Sequence, residues 1–270
     1  QILGSLGWTG PERLAWATAC GVAGVVDPMF LMQLGSTFHD NLTAVLVMAS
    51  VAVVLGQIGS EPSMGEQASV VPMIVAGLLV GLASGLKLTT APFAISLGVS
   101  SAIVLPPGRI KRSTLVGLAS GIVTGFLLVH GPWMLVLQER YQSLLFPFFN
   151  AIFQSPYWPS SNISYTVARS WVEHLALPFG FSVRRQLASE FVSRDLRLGL
   201  AYGLLLVAGM AWLGRRFRNR RAGEVGSASE KTGRADRRPL FLLLFFLGSY
   251  FLWQWKFAIL RYLVPVTLLT

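Results

Sequence analysis

The sequence predicts an all-α polytopic membrane protein with about seven to eight transmembrane helices, short loops and one long external loop. Three observations predict it. The 270-residue chain is 53% hydrophobic and only 13% charged, with a mean hydropathy of +0.58, whereas a soluble domain is nearer a quarter charged. Charge-free runs recur along the chain at lengths that approach a spanning helix, which needs roughly 20 mainly apolar residues. Many of the basic residues behind the formal net charge of +10 cluster in short tracts between those runs, the pattern by which a membrane protein marks its cytoplasmic side. The same clustering argues against a nucleic-acid-binding face. One cysteine, Cys20, sits in an apolar segment, so the chain offers no internal disulfide and no zinc-ligand spacing.

Charges bound each helix in turn. Between Arg13 and Asp27 lie 13 uncharged residues, a short first helix ending at Asp27–Pro28. The stretch MFLMQLGSTFHDN reads as a short interfacial segment. Between Asp40 and Glu61 lie 20 uncharged residues, the second helix. Asp40 and Asn41 stand at its N-terminus, where capping and the helix dipole favour an acid. Residues 59–69 form a polar loop. The third helix runs over about 70–86 and the fourth over about 90–105. They are joined in a tight hairpin at Lys87, which has 20 uncharged residues before it and 21 after. A hydrated ammonium is costly in hydrocarbon, so such a lysine belongs at a membrane surface or in a protected cavity.

The basic loop PPGRIKRS leads into a fifth helix, about 114–137, whose one ionisable side chain is His130. Residues 138–195 form a long mixed segment. Sixth and seventh helices each take 17 uncharged residues, between Arg197 and Arg215 and between Arg238 and Lys256. The linker between them, 215–238, carries nine Arg/Lys and three acids. WKFAILRYLVPVTLLT opens an eighth helix. The chain therefore reads as an internal fragment, 1–270, of one integral-membrane domain.

Placing the tracts 106–113 and 215–238 in the cytoplasm orients the rest. Alternation puts 59–69 inside. It puts the Asp27–Asp40 segment, the Lys87 hairpin, the 138–195 loop and Lys256–Arg261 outside. Two helices share VGLASG, at Val80–Gly85 and Val116–Gly121, within the glycine rows Gly77/Gly81/Gly85 and Gly117/Gly121/Gly125. Small residues at every fourth position let helix backbones approach closely, so these rows predict close packing.

No P-loop, Rossmann fingerprint, HExxH or Gly-x-Ser-x-Gly pattern is present. The topology instead gathers Asp27, His39, Asp40, Lys87, Asn150, Arg194, Asp195, Arg197 and Arg261 on the outer side. The cations suit an anionic group such as a phosphate, and the acids suit a base or a cation partner. The bland alternatives are snorkelling for Lys87 and Arg261, and a helix cap for Asp40. LLFPFFNAIFQSPYW, residues 144–158, is an interfacial aromatic belt or a wall along which a lipid-linked substrate slides.

These pieces resemble a known family. GLLVGLASGLKLTTAPF resembles the small-residue helix and Lys-x-x-x-Pro-like turn of bacterial GT-C superfamily glycosyltransferases, especially the family-87 type that uses polyprenol-phosphate mannose. Lys87, Leu88 and Thr89 fit the pattern, whereas Thr90 stands where proline is usual and the proline comes at Pro92. GSTFHDNLTAVLVM is similar to the family's Gly-Gln-x-Asn helix, with Gly35 and Asn41 spaced differently. WKFAILRYLVP resembles the Arg-Tyr-Leu-x-Pro turn, carried by Arg261, Tyr262, Leu263 and Pro265.

The resemblance implies an enzyme of the bacterial cytoplasmic membrane that moves a sugar from a polyprenyl-phosphate carrier to a lipid or glycan acceptor on the outer face. The carrier-linked sugar is then the donor substrate, and membrane lipids are the other partners. Lys87 and Arg261 are expected at the donor phosphate, and no metal site is expected. Asp40, Asp27 or His39 would orient the acceptor or support a base, while Phe146, Phe149, Tyr157 and Trp158 would form the lipid-facing wall. The family's catalytic acid usually follows the first helix, which places it upstream of Gln1. The rival expectation is a non-enzymatic transporter or flippase for a lipid-linked or anionic substrate.

Overall fold

Leucine-, valine- and alanine-rich runs close their backbone hydrogen bonds within one segment, and the described chain is all α. The computed structural model describes residues 10–58, 69–106, 109–160, 170–183, 196–221 and 236–269, the side chains of residues 13, 109–111 and 212–221 excepted. The polar loop 59–69 (but for Ser69), Arg194, Asp195 and the middle of the basic linker lie outside these residues.

The charge-bounded runs become α1 (Gly10–Val25), α3 (Asp40–Ile58), α4 (Val71–Leu86), α5 (Ala91–Val104), α6 (Arg109–Tyr141), α9 (Leu196–Arg221) and α10 (Arg238–Lys256). Short α2 (Pro28–Met32) fills the segment between α1 and α3. Two helices, α7 (Asn150–Phe153) and α8 (Trp171–Val183), lie in the long mixed stretch. The final segment forms a 3-10 turn, Leu260–Leu263, and a single turn α11, Val264–Thr267.

Among the described residues, two helices are long and apolar enough to cross a membrane, by length and composition: α3, and Arg112–Tyr141 of α6. Three shorter apolar helices are Val71–Leu86, Leu88–Val104 and Leu196–Ala211. The α6 helix extends beyond the expected 114–137 at both ends, because backbone bonding continues through polar residues after the apolar run stops.

The glycine rows pack against each other. A Cβ at Gly77 would collide with the Leu118 carbonyl, one at Gly81 with that of Ile122, and one at Gly121 with that of Ile74. At Gly85 a Cβ would lie 2.9 Å from the Phe126 oxygen, and at Gly125 2.8 Å from the Leu82 nitrogen. The contacts advance together along both helices, so α4 and α6 run parallel. Only glycine permits this approach.

The Ser50 hydroxyl donates to the Ala76 carbonyl at 2.7 Å and fixes α3 against α4. Next to this group α5 packs on α10, where Gly248 faces Ser96. Phe241, Phe245 and Trp253 of α10 are fully buried. At one end of the α5–α10 pair Arg237 donates to the Val104 carbonyl at 2.9 Å. At the other, the Trp253 indole donates to Ile259 at 2.9 Å and folds the chain after α10 back toward the core.

Candidate anion-binding site

The hairpin between α4 and α5 is built to present Lys87. Its backbone N–H still bonds Ala83 O at 3.0 Å, but its φ of −149° and ψ of 109° are extended and end the helix. Leu88–Thr90 then make a 3-10 turn, and Pro92 occupies the first turn of α5, where its missing N–H costs nothing. The ammonium is thereby aimed at the N-terminus of α3.

Asp40 begins α3. His39 before it holds φ of +61°, a left-handed conformation that histidine adopts more readily than bulkier residues. The Asn41 amide donates to Phe30 O at 2.8 Å and secures this turn to α2. Lys87 Nζ donates to Asp40 Oδ1 at 2.6 Å and to Phe38 O at 3.1 Å. Arg261, from the 3-10 turn after α10, brings Nε to 3.9 Å from Asp40 Oδ2. Two cations therefore share one carboxylate. The carboxylate is buried, at 3% exposure, whereas the Lys87 and Arg261 side chains are 20% and 13% exposed.

Aromatic faces hold the cations. Lys87 Nζ lies 4.7 Å from the Tyr262 ring centroid, and the Arg261 guanidinium carbon lies 4.4 Å from that of Phe38 and 5.0 Å from that of Tyr262. Arg261 also donates to the Tyr262 hydroxyl at 3.0 Å. A negative ring face attracts a cation without neutralising it. The result is a surface-reaching patch of net charge +1 above a buried acid. Such a patch can take an anion, and the guanidinium suits a phosphate oxygen pair. Phe38 and Tyr262 are not among the expected phosphate or acceptor residues, yet their rings hold the two cations. Their signal was adjacency: one stands two residues before Asp40 and the other directly after Arg261.

Asp27 belongs to a separate arrangement. It caps α2 by accepting from Met29 N at 2.9 Å. Its carboxylate also pairs with Arg197 at 2.7 Å and accepts the Thr267 hydroxyl. Arg197 reaches on to Ala23 O at 3.1 Å. With no exposure and three elements attached, Asp27 is placed as a tie between α1–α2, α9 and α11 rather than as a group open to a substrate. His39 is exposed beside Asp40.

Asn150 does not join the cations. Fully buried, its amide donates to Ser155 O at 3.1 Å, Trp158 O at 2.6 Å and Pro159 O at 3.2 Å, and its oxygen accepts from Ser155 N at 2.7 Å. One side chain thus closes the loop that carries the aromatics. Phe146 stacks on Tyr141 at 4.2 Å and meets Trp158 edge-on at 6.1 Å, while Tyr157 meets Tyr141 at 5.8 Å. Phe149 lies 5.8 Å from Lys256 Nζ. Tyr157 and Trp158 are exposed, whereas Phe146 and Phe149 are half-buried.

No protein-family model, curated protein or solved structure matches the chain at a significant level.

Proposed function

We propose that the chain is a polytopic membrane protein whose Lys87–Asp40–Arg261 cluster binds the phosphate of a polyprenyl-phosphate-linked sugar during sugar transfer of the GT-C type. The observation that carries this reading is the cluster itself: two aromatic-seated cations, partly exposed, joined on one buried carboxylate. Negative charge grows on the donor phosphate as the sugar leaves, and fixed cations that meet it there lower the barrier. The exposed Tyr157 and Trp158 suit a membrane interface beside the prenyl chain.

The membrane reading draws on the apolar composition, on the two long apolar helices, and on large apolar side chains left exposed along α5, α6 and α9, such as Ile95, Val99, Leu128, Leu135, Leu200 and Leu204. Segregation of charge supports it further. The starts of α3 and α5 and the ends of α4 and α10 share one end with Asp40, Lys87 and Arg261. Arg237, at the end of the 215–238 tract, donates to Val104, two residues before the 106–113 tract, which fits a cytoplasmic face there and an external site opposite. A bacterial cytoplasmic membrane is the setting this reading takes.

A carrier is the second reading. It is favoured by the hydroxyls of Ser96, Ser101, Ser249 and Tyr250, which are buried on α5 and α10 without a protein hydrogen-bond partner; such groups suit a wetted path. The deciding experiment incubates the purified protein in proteoliposomes with a polyprenyl-phosphate hexose labelled in the sugar. Label recovered on a lipid or glycan acceptor supports the transferase. Label that crosses the bilayer with its phosphate link intact supports the carrier.

A further inference from the structure

We infer that Asp40 is a built-in counter-ion that competes with the phosphate-ester ligand for Lys87 and so sets how tightly the site holds it. The inference rests on the anion-site reading above and adds to it a direction for the acid. An acid that served as a base would face the reacting centre. Here the carboxylate is 3% exposed and lies beneath the cations, with Lys87 Nζ hydrogen-bonded to one oxygen at 2.6 Å. An arriving anion meets the exposed edges of Lys87 and Arg261 first. It then competes with a carboxylate already in place.

The geometry also keeps the cations in position while that competition occurs. The Tyr262 ring lies against both, Phe38 lies against Arg261, and the Phe38 carbonyl accepts from Lys87. Arg261 stands 3.9 Å from Asp40 Oδ2, an ion pair longer than a hydrogen bond, so its attraction to the acid is the looser of the two. A like charge a few ångströms from a bound anion weakens it by about tenfold or more, even after allowance for solvent screening at a partly exposed site. Removing that charge while keeping the side chain's shape should therefore tighten anion binding.

The test measures binding to the full-length protein in nanodiscs for wild type, Asp40→Asn, Lys87→Ala and Arg261→Ala. Two probes separate the sources of the phosphate: inorganic pyrophosphate in solution, and a polyprenyl monophosphate incorporated in the disc. Asp40→Asn is expected to lower Kd by about tenfold for at least the probe that the site accepts, and to steepen the salt dependence of binding, which Lys87→Ala flattens. Detection of binding only in Asp40→Asn also supports the inference. Unchanged or weaker binding in a folded Asp40→Asn overturns it, and Asp40→Ser serves as the second variant should the asparagine protein unfold. Lys87→Ala and Arg261→Ala report on the site independently. If neither weakens binding, the anion-site reading itself fails. If both weaken it and Asp40→Asn does not tighten it, only the counter-ion role fails.

Discussion

Asp27 and Asp40 are both buried carboxylates held by cations, yet their surroundings give them different work. Asp27 is held by internal groups: a backbone N–H, a buried threonine hydroxyl and an arginine that also bonds helix carbonyls. Removing Arg197 leaves that carboxylate buried without its cation, so Arg197→Ala should cost about 3 kcal/mol of stability. Thermal unfolding in detergent checks it; a melting temperature equal to wild type would show that the tie is not needed. Asn150 provides a similar case in a loop. Asn150→Ala removes four hydrogen bonds that close residues 150–159, at a cost of about 2 kcal/mol. Hydrogen exchange should rise locally there, with α4 and α6 unaffected.

Residue types and separations made the cations legible as a set but not as a pair. Lys87 and Asp40 are 47 positions apart, and alternation of helices assigns them only to a common side. Packing of α3 on α4 and the fold-back after α10 select which acid meets which cation. For the same reason Asp27 read as a companion of Asp40 until Arg197 and Thr267 met it.

Among the elements, the parallel pair α4 and α6 depends most on its sequence. Its glycine rows were legible because small residues at every fourth position line one helix face and are the signature of close backbone packing. Gly81→Val or Gly121→Val must push one backbone off the other, since the added Cβ meets a carbonyl. Each should destabilise by about 3 kcal/mol or prevent folding. Gly98→Ala is the control: a Cβ there meets nothing within 4 Å, and the gain in helix propensity should raise stability by up to about 1 kcal/mol. Comparing the chemical denaturation midpoints of these variants separates packing from propensity. Equal effects at Gly81 and Gly98 would contradict the packing account. The helices of 138–195 were less legible. Prolines and aromatics interrupt their periodicity, and a four-residue helix such as α7 leaves no pattern to read.

At the scale of the whole molecule, the charge-free intervals located the long helices well, since a charge inside an apolar helix is costly and so marks its ends. The same intervals do not show how many helices cross a bilayer: among the described residues two meet the requirements of length and composition, and others are shorter. Orientation is testable directly. With Cys20 replaced by alanine, single cysteines at positions 160 and 225 should react with a membrane-impermeant maleimide from opposite sides. Labelling of both from one side would overturn the topology on which the external site depends.

The most direct measurement is sugar transfer from a polyprenyl-phosphate hexose by the full-length protein and by Lys87→Ala and Arg261→Ala. Loss of a fixed cation at a developing phosphate charge predicts a fall in kcat of about 100-fold for each variant, with the fold retained. Transfer at the wild-type rate by both variants would contradict the phosphate role assigned to the cluster.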